Sequence, residues 1–95
     1  MSASLDLSVI IPAHNEGPNL RILLPQLRTL LDGLGIESEV LVVVRDVEEE
    51  TREAVGDGLG TIVQQREPGY GGALRTGFSR ARGLYVLTMD ADLSH

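Results

Sequence analysis

Two carboxylates one residue apart, Asp90 and Asp92, are the side chains of this sequence best placed to do chemistry. They follow the apolar run 84–89, which predicts a strand. Ligands of open α/β sheets bind at the carboxyl ends of the strands, so both carboxylates are expected at a binding edge. Their oxygens suit Mg²⁺ or Mn²⁺, the ions that accompany a diphosphate. The alternative is structural, because an Asp after a strand often only caps the next helix.

The elements that would position these carboxylates alternate along the chain. Apolar, β-branched runs predict strands at residues 7–11, 39–44, 61–65 and 84–89. Helices are predicted over 18–31, where leucines recur at helical spacing, and over 48–55 and 70–82. The order β-α-β-α-β-α-β with short connections predicts an α/β fold with an open, mostly parallel sheet and flanking helices, which is Rossmann-like.

Local signals suggest where the helices begin, end and bury a face. Asn15 or Glu16 is expected to cap the first helix, Asp46 the second, and glycines at 33 and 35 to end the first. Pro25 should kink the first helix or cost it about 3 kcal/mol. The apolar face of the third helix is expected to contain Ala73, Leu74, Gly77, Phe78 and Ala81.

Composition limits the possible classes of protein. The 95 residues suffice for a single domain, and the 42% hydrophobic content is typical of a globular chain. The sequence contains no run of twenty apolar residues, so it predicts no membrane span. The absence of cysteine excludes thiol catalysis and cysteine-based zinc sites. A net charge of −6 argues against an extended nucleic-acid surface, but not against one nucleotide beside a metal ion.

The segment after the first strand excludes two common nucleotide-binding motifs. It has the sequence PAHNEG from Pro12 to Gly17, which lacks the glycine spacing of a dinucleotide-binding turn. A P-loop requires a lysine, and the chain contains none.

Three segments carry a resemblance to a known family: VIIPAHNE at 9–16, EPGYGGALRTGFSRARG at 67–83 and YVLTMDADLSH at 85–95. Together they resemble the N-terminal, nucleotide-sugar-binding half of a family 2 glycosyltransferase with the GT-A fold. Within that family the sequence is most similar to polyprenyl (dolichyl) phosphate mannosyl- and glucosyltransferases. We therefore expect residues 1–95 to form one incomplete domain of a longer enzyme.

The resemblance implies an activity and a location. The enzyme would transfer a hexose from a GDP- or UDP-sugar to an acceptor such as a polyprenyl phosphate, with Mn²⁺ or Mg²⁺ as cofactor. It would be cytoplasmic and work at the cytoplasmic face of a membrane. The elements that bind the acceptor and supply a catalytic base in the family lie beyond the Asp-x-Asp motif, so no catalytic residue is assigned.

The resemblance also implies roles for individual residues. Pro12, Ala13 and Glu16 would surround the base and ribose of the nucleotide. Asp92 would bind the metal directly, and Asp90 would contact the ribose or a metal-bound water. The remaining nucleotide contacts would be Ala91, Arg75 and, at the end of strand two, Asp46.

Each assignment has a structural alternative. Glu16 could favour the dipole of the first helix, and Arg75 could be an exposed surface residue. The glycines at 69, 71 and 72 could bind phosphate at a helix N-terminus or let the helix approach the sheet closely.

Strand two departs from the family pattern. Its relatives end this strand with Asp, whereas here Val44 and Arg45 occupy those positions and Asp46 comes one residue late. A shift of one residue turns a side chain to the opposite face, so Asp46 can substitute only if the strand end bulges. This departure favours one alternative, a degenerate, non-catalytic nucleotide-binding copy. A second alternative is a different enzyme class on a similar sheet, a metal-dependent nucleotidyltransferase. An open sheet edge also predicts self-association.

Overall fold

The computed structural model describes residues 5–56 and 58–91, which form four strands and three helices in strict alternation. The strands are β1 (Leu5–Pro12), β2 (Ser38–Val44), β3 (Thr61–Gln64) and β4 (Gly83–Thr88), and the helices are α1 (Gly17–Leu34), α2 (Glu49–Val55) and α3 (Gly69–Arg80). This order confirms the predicted α/β fold.

The four strands form one parallel sheet in the order β3-β2-β1-β4. In the register of this sheet, Val9 of β1 lies between Val40 of β2 and Leu87 of β4. Every strand therefore ends at the same edge. The segments that follow β1, β2 and β4 are neighbours there although they are far apart in sequence.

Helices cover the two faces of the sheet and divide the core in two. Val9 and Ile11 of β1 pack with the leucines of α1 and with Ala54 and Val55 of α2. Ile10 points to the opposite face, where it packs with Leu41, Val43, Val63 and Ala73. The continuous apolar runs of β1 and β2 are explained by this two-sided burial.

Helix α1 is longer than predicted. It continues through Pro25, whose side chain is exposed, and through Gly33. It ends at Gly35, which has a φ of 71° and donates its N–H to the carbonyl oxygen of Asp32. Glycine adopts this left-handed conformation at little cost, so Gly35 is the stop signal and Gly33 is not.

Two local predictions were wrong. Asp46 does not cap α2, because the helix begins after Glu48, which makes no side-chain capping bond. Phe78 is 51% exposed, whereas Gly72, Ala73, Thr76 and Gly77 are buried. A Cβ atom at Gly77 would lie 2.5 Å from Cγ2 of Ile10, so α3 packs against β1 too closely for any larger residue.

Across residues 5–56 and 58–91, none of the helices combines the length and the apolar character that a membrane crossing requires.

Candidate functional site

A cavity of about 420 Å³ opens at the carboxyl edge of the sheet. Its walls come from the loop after β1, the ends of β2, β3 and β4, and the first turns of α3; they comprise Pro12, Ala13, His14, Glu16, Arg45, Gln65, Gly69, Tyr70, Ala73, Asp90 and Ala91. Its volume lies in the range that small-molecule sites occupy in proteins. The position is the one that parallel α/β sheets favour for ligands.

The loop after β1 is held against β2. The N–H of Ala13 donates to the carbonyl oxygen of Val43 at 2.9 Å, which extends the pairing of the strands by one residue. Asn15 then adopts a left-handed φ of 55°, a conformation that Asn tolerates better than most residues. This turn brings Glu16 back to the cavity at the start of α1.

Glu16 lies both at the cavity and at the start of α1. Its Oε1 accepts a hydrogen bond from Nδ2 of Asn19 at 2.7 Å. The bond fixes the carboxylate at the helix start, where the positive end of the helix dipole also stabilises it.

Asp90 and Ala91 reach the cavity from β4. The N–H of Met89 donates to the carbonyl oxygen of Ile10 at 3.0 Å and fixes the end of this strand on β1. Asp90 follows with an exposed carboxylate, while Ala91 is buried. The predicted metal ligand Asp92 lies outside the described residues, as does the neighbouring stretch to His95.

The structure thus brings five of the predicted binding residues to one cavity: Pro12, Ala13, Glu16, Asp90 and Ala91. It does not bring Asp46 or Arg75 there. Asp46 borders a smaller cavity of about 200 Å³ beside the first. Arg75 borders another cavity and pairs with Glu67, with 2.7 Å between Nε and Oε1.

Arg45 takes the place in the cavity wall that the resemblance gave to an acid. It follows β2 directly and lines both the principal cavity and its smaller neighbour. Sequence reasoning noted Arg45 as a departure from the family pattern but did not assign it to the site. Its position immediately after a buried strand was the available signal.

Gln65 and Tyr70 were also missed as wall residues. Nε2 of Gln65 donates to the carbonyl oxygens of Glu67 and Gly69, at 2.6 and 3.1 Å. These bonds fold the turn that leads from β3 into α3 and carry the exposed ring of Tyr70 to the cavity. Gln65 directly follows β3, so its position at a strand end was the available signal, whereas the folded turn is what joins Tyr70 to the cavity.

The glycines at the start of α3 have different surroundings. Gly69 lines the cavity with a φ of 84°, a conformation that side chains rarely adopt. Gly72 lies against the carbonyl oxygen of Glu67, where an added Cβ would collide with it. Gly72 therefore serves packing, while Gly69 is free to face a ligand.

The donor set of the cavity suits a cation that is held partly by its ligand. Within residues 5–56 and 58–91, no group of three His, Cys, Asp or Glu side chains could enclose a metal ion. Asp90 nevertheless offers carboxylate oxygens at the cavity. Mg²⁺ is typically held by one or two carboxylates together with substrate phosphates and water, and this arrangement fits.

A solved structure supports the fold. The chain superposes on mannosyl-3-phosphoglycerate synthase from Rubrobacter xylanophilus with a TM-score of 0.80 and 23% sequence identity. The match covers 93% of this chain and 31% of that one. It identifies the architecture as part of a GT-A fold.

The sequence itself supports the family. The profile described as Glycosyl transferase family 2 matches residues 8–95. The match confirms the predicted resemblance, and the finer similarity to polyprenyl-phosphate enzymes stays a prediction. The chain belongs to glycosyl transferase family 2.

Proposed function

We propose that this protein transfers a hexose from a nucleotide-diphosphate sugar and that the cavity at the sheet edge holds the donor. The observation that carries the proposal is the convergence of Pro12, Ala13, Glu16, Asp90 and Ala91 on that cavity in a chain of glycosyl transferase family 2. The resemblance assigns each of these residues to the donor.

The charges of the cavity suit a donor with a nucleoside at one end and a diphosphate at the other. Asp90 stands at the end of β4 and Arg45 at the end of β2, with the loop after β1 between them. A carboxylate repels a diphosphate unless a cation lies between them. We therefore place the diphosphate and a divalent cation at Asp90, with Asp92 as a further proposed ligand.

The reaction would be a displacement at the anomeric carbon. An acceptor oxygen forms a bond to that carbon, and the bond from the carbon to the diphosphate breaks, leaving its electron pair on the nucleoside diphosphate. A divalent cation bound at Asp90 and Asp92 would stabilise the negative charge that develops on the leaving nucleoside diphosphate. The chain's own residues orient the donor: Glu16 and the loop after β1 hold the nucleoside.

The proposed acceptor is a polyprenyl phosphate. Its attacking oxygen is already ionised at neutral pH, so no protein group has to remove a proton from it. Work on such a lipid would place the enzyme at the cytoplasmic face of a membrane.

The second candidate is a non-catalytic copy that binds nucleotide without turnover. Arg45 favours it, because this residue stands where relatives carry an acid. Release of nucleoside diphosphate from a hexose donor in the presence of polyprenyl phosphate would exclude this candidate. Binding without such release for both GDP- and UDP-sugars would support it.

Calorimetric titration of the intact protein with GDP and UDP, with and without Mn²⁺, tests the donor site. We expect one nucleotide to bind only with Mn²⁺, and the substitutions Asp90→Ala and Asp92→Ala to weaken that binding by roughly ten-fold or more. Asp32→Ala is the matched control, because Asp32 is exposed on α1, pairs there with Arg28 and does not line the cavity. Unchanged Mn²⁺-dependent binding in both site variants would refute the assignment.

A further inference from the structure

Arg45 is the one arginine among the described residues of the principal cavity wall. Within the described ranges, Arg45, Arg66 and Arg80 form no ion pair, whereas the other five arginines do. The strand end beneath Arg45 is fixed, because its carbonyl oxygen accepts a hydrogen bond from Nε2 of Gln64 at 2.9 Å. A positioned backbone with an exposed guanidinium at a cavity is suited to binding a ligand.

The position of Arg45 in the sheet indicates which part of the donor it meets. Strand β1 separates β2 from β4, and neighbouring strands lie about 4.8 Å apart, so Arg45 and Asp90 start from strand ends about 10 Å apart. With the diphosphate at Asp90, as the proposed function requires, the ribose lies over the end of β1. The base is then the group that reaches Arg45.

The chemistry of the guanidinium distinguishes between bases. Arginine presents a planar fork of N–H donors and has no acceptor. Guanine offers two adjacent acceptors, O6 and N7, and their pairing with arginine is the commonest specific contact between side chains and bases. Adenine sets an amino donor beside N7. In uracil, an N–H donor separates the two carbonyl oxygens.

We propose that Arg45 binds O6 and N7 of a guanine base and thereby selects a GDP-sugar as the donor. This proposal rests on the proposed function. It narrows the donor from a GDP- or UDP-sugar to a GDP-sugar. It also accounts for the missing acid at the end of β2: a carboxylate would repel the acceptor edge of the base that Arg45 binds.

Titration of the intact protein with GDP, UDP, ADP and 7-deaza-GDP, each with Mn²⁺, tests the contact. The 7-deaza analogue replaces N7 by a carbon and leaves the rest of the base intact. We expect GDP to bind at least about ten-fold more tightly than UDP or ADP. We also expect 7-deaza-GDP to lose roughly five-fold or more, the lower end of the discrimination expected for such a pair.

The variant Arg45→Met retains length and removes the donors. It should lose roughly five- to 150-fold in GDP affinity and bind GDP and 7-deaza-GDP equally. Arg80→Met is the matched control: Arg80 lies at the end of α3, outside the cavity wall, so its variant should keep the preference for GDP.

The outcomes separate the two proposals. Mn²⁺-dependent binding that prefers UDP, or equal binding of GDP and 7-deaza-GDP by the unmodified protein, overturns the guanine contact and leaves the donor site standing. Failure of every nucleotide to bind overturns both. The comparison of GDP with 7-deaza-GDP needs no variant, so a folding defect in Arg45→Met would not remove the test.

Discussion

The central strands and the edge strand β4 have similar apolar sequences and opposite surroundings. Residues 9–11 of β1 and 40–44 of β2 are almost fully buried, with helices on both faces. In β4, Leu84 is 74% exposed and Leu87 is 49% exposed, although Leu87 is the register partner of the buried Val9. An apolar sequence therefore predicts a strand, but not how deeply it is buried. The position of the strand in the sheet decides whether the three helices cover its side chains.

Substitution in a central strand should have the largest effect. Ile10→Ala should lower the free energy of unfolding by about 2–5 kcal/mol, because Ile10 is fully buried and its removal leaves a cavity beneath α3. Urea denaturation followed by circular dichroism measures the change.

The matched variant is Leu87→Ala in β4, which should cost about 1 kcal/mol or less because half of that side chain is exposed. Equal losses for the two variants would show that β4 is buried in solution and would remove the contrast between the strands.

The polar contact that ties the start of β4 to the central strands should have the next largest effect. Oε2 of Glu39 accepts hydrogen bonds from Oγ of Ser8 at 2.6 Å and from the N–H of Arg82 at 2.7 Å. Oγ of Ser8 in turn accepts from the N–H of Gly83 at 2.8 Å. This network joins β2, β1 and the turn into β4.

The network makes stability depend on pH. Burial raises the pKa of Glu39, but the hydrogen bonds from Ser8 and Arg82 and the charge of Arg82 outweigh it and lower the pKa below its ordinary value of 4.5. A carboxyl group with a lowered folded-state pKa stabilises the fold above the unfolded pKa, and this contribution is lost as the pH falls through the folded value.

Glu39→Gln should therefore cost about 1.5–3 kcal/mol at pH 7, and the difference from the unmodified protein should shrink below pH 4.5. Urea denaturation across this range measures it. Glu49→Gln is the control, since Glu49 is exposed and forms only a long ion pair with Arg52, 3.9 Å from Oε1 to Nε, among the described residues. A constant difference at all pH values would mean that the ionised carboxylate is not what stabilises the network.

The smallest effect on stability is expected at the exposed edge itself. Tyr85→Lys should change the free energy of unfolding by less than about 0.5 kcal/mol, because Tyr85 is 71% exposed. It should nevertheless reduce self-association through β4, since a lysine on an edge strand opposes pairing with another strand.

Sedimentation velocity over a range of concentrations measures that association. Ile22→Lys, on the exposed side of α1, is the control and should leave it unchanged. If the Tyr85→Lys variant self-associates as strongly as the unmodified protein, copies of the chain do not meet along β4.

The sequence predicted the element order and the parallel sheet because buried strands and amphipathic helices leave strong local patterns. Local signals failed where several residues compete for one task. Gly33 and Gly35 both looked like helix stops, and only the left-handed conformation of Gly35 decides between them. Asp46 resembled a capping residue, but α2 begins three residues later.

The site was predictable where its residues directly follow strands. Pro12, Ala13 and Asp90 could be placed at one edge because parallel strands end together. Gln65 directly follows β3 and could have been placed there in the same way, whereas Tyr70 could not, since the turn between β3 and α3 joins it to the cavity. Arg75 was assigned from resemblance, and it lies about 200° around α3 from Ala73, which does line the cavity.

The contact between Gly77 and Ile10 has a consequence for changing the shape of the cavity. Helix α3 supplies Gly69, Tyr70 and Ala73 to the cavity wall, and Gly77, about one turn beyond Ala73, sets how closely the helix lies on the sheet. The size of the opening thus depends on a residue pair outside the cavity wall. Attempts to widen the cavity should therefore start with the packing beneath its wall.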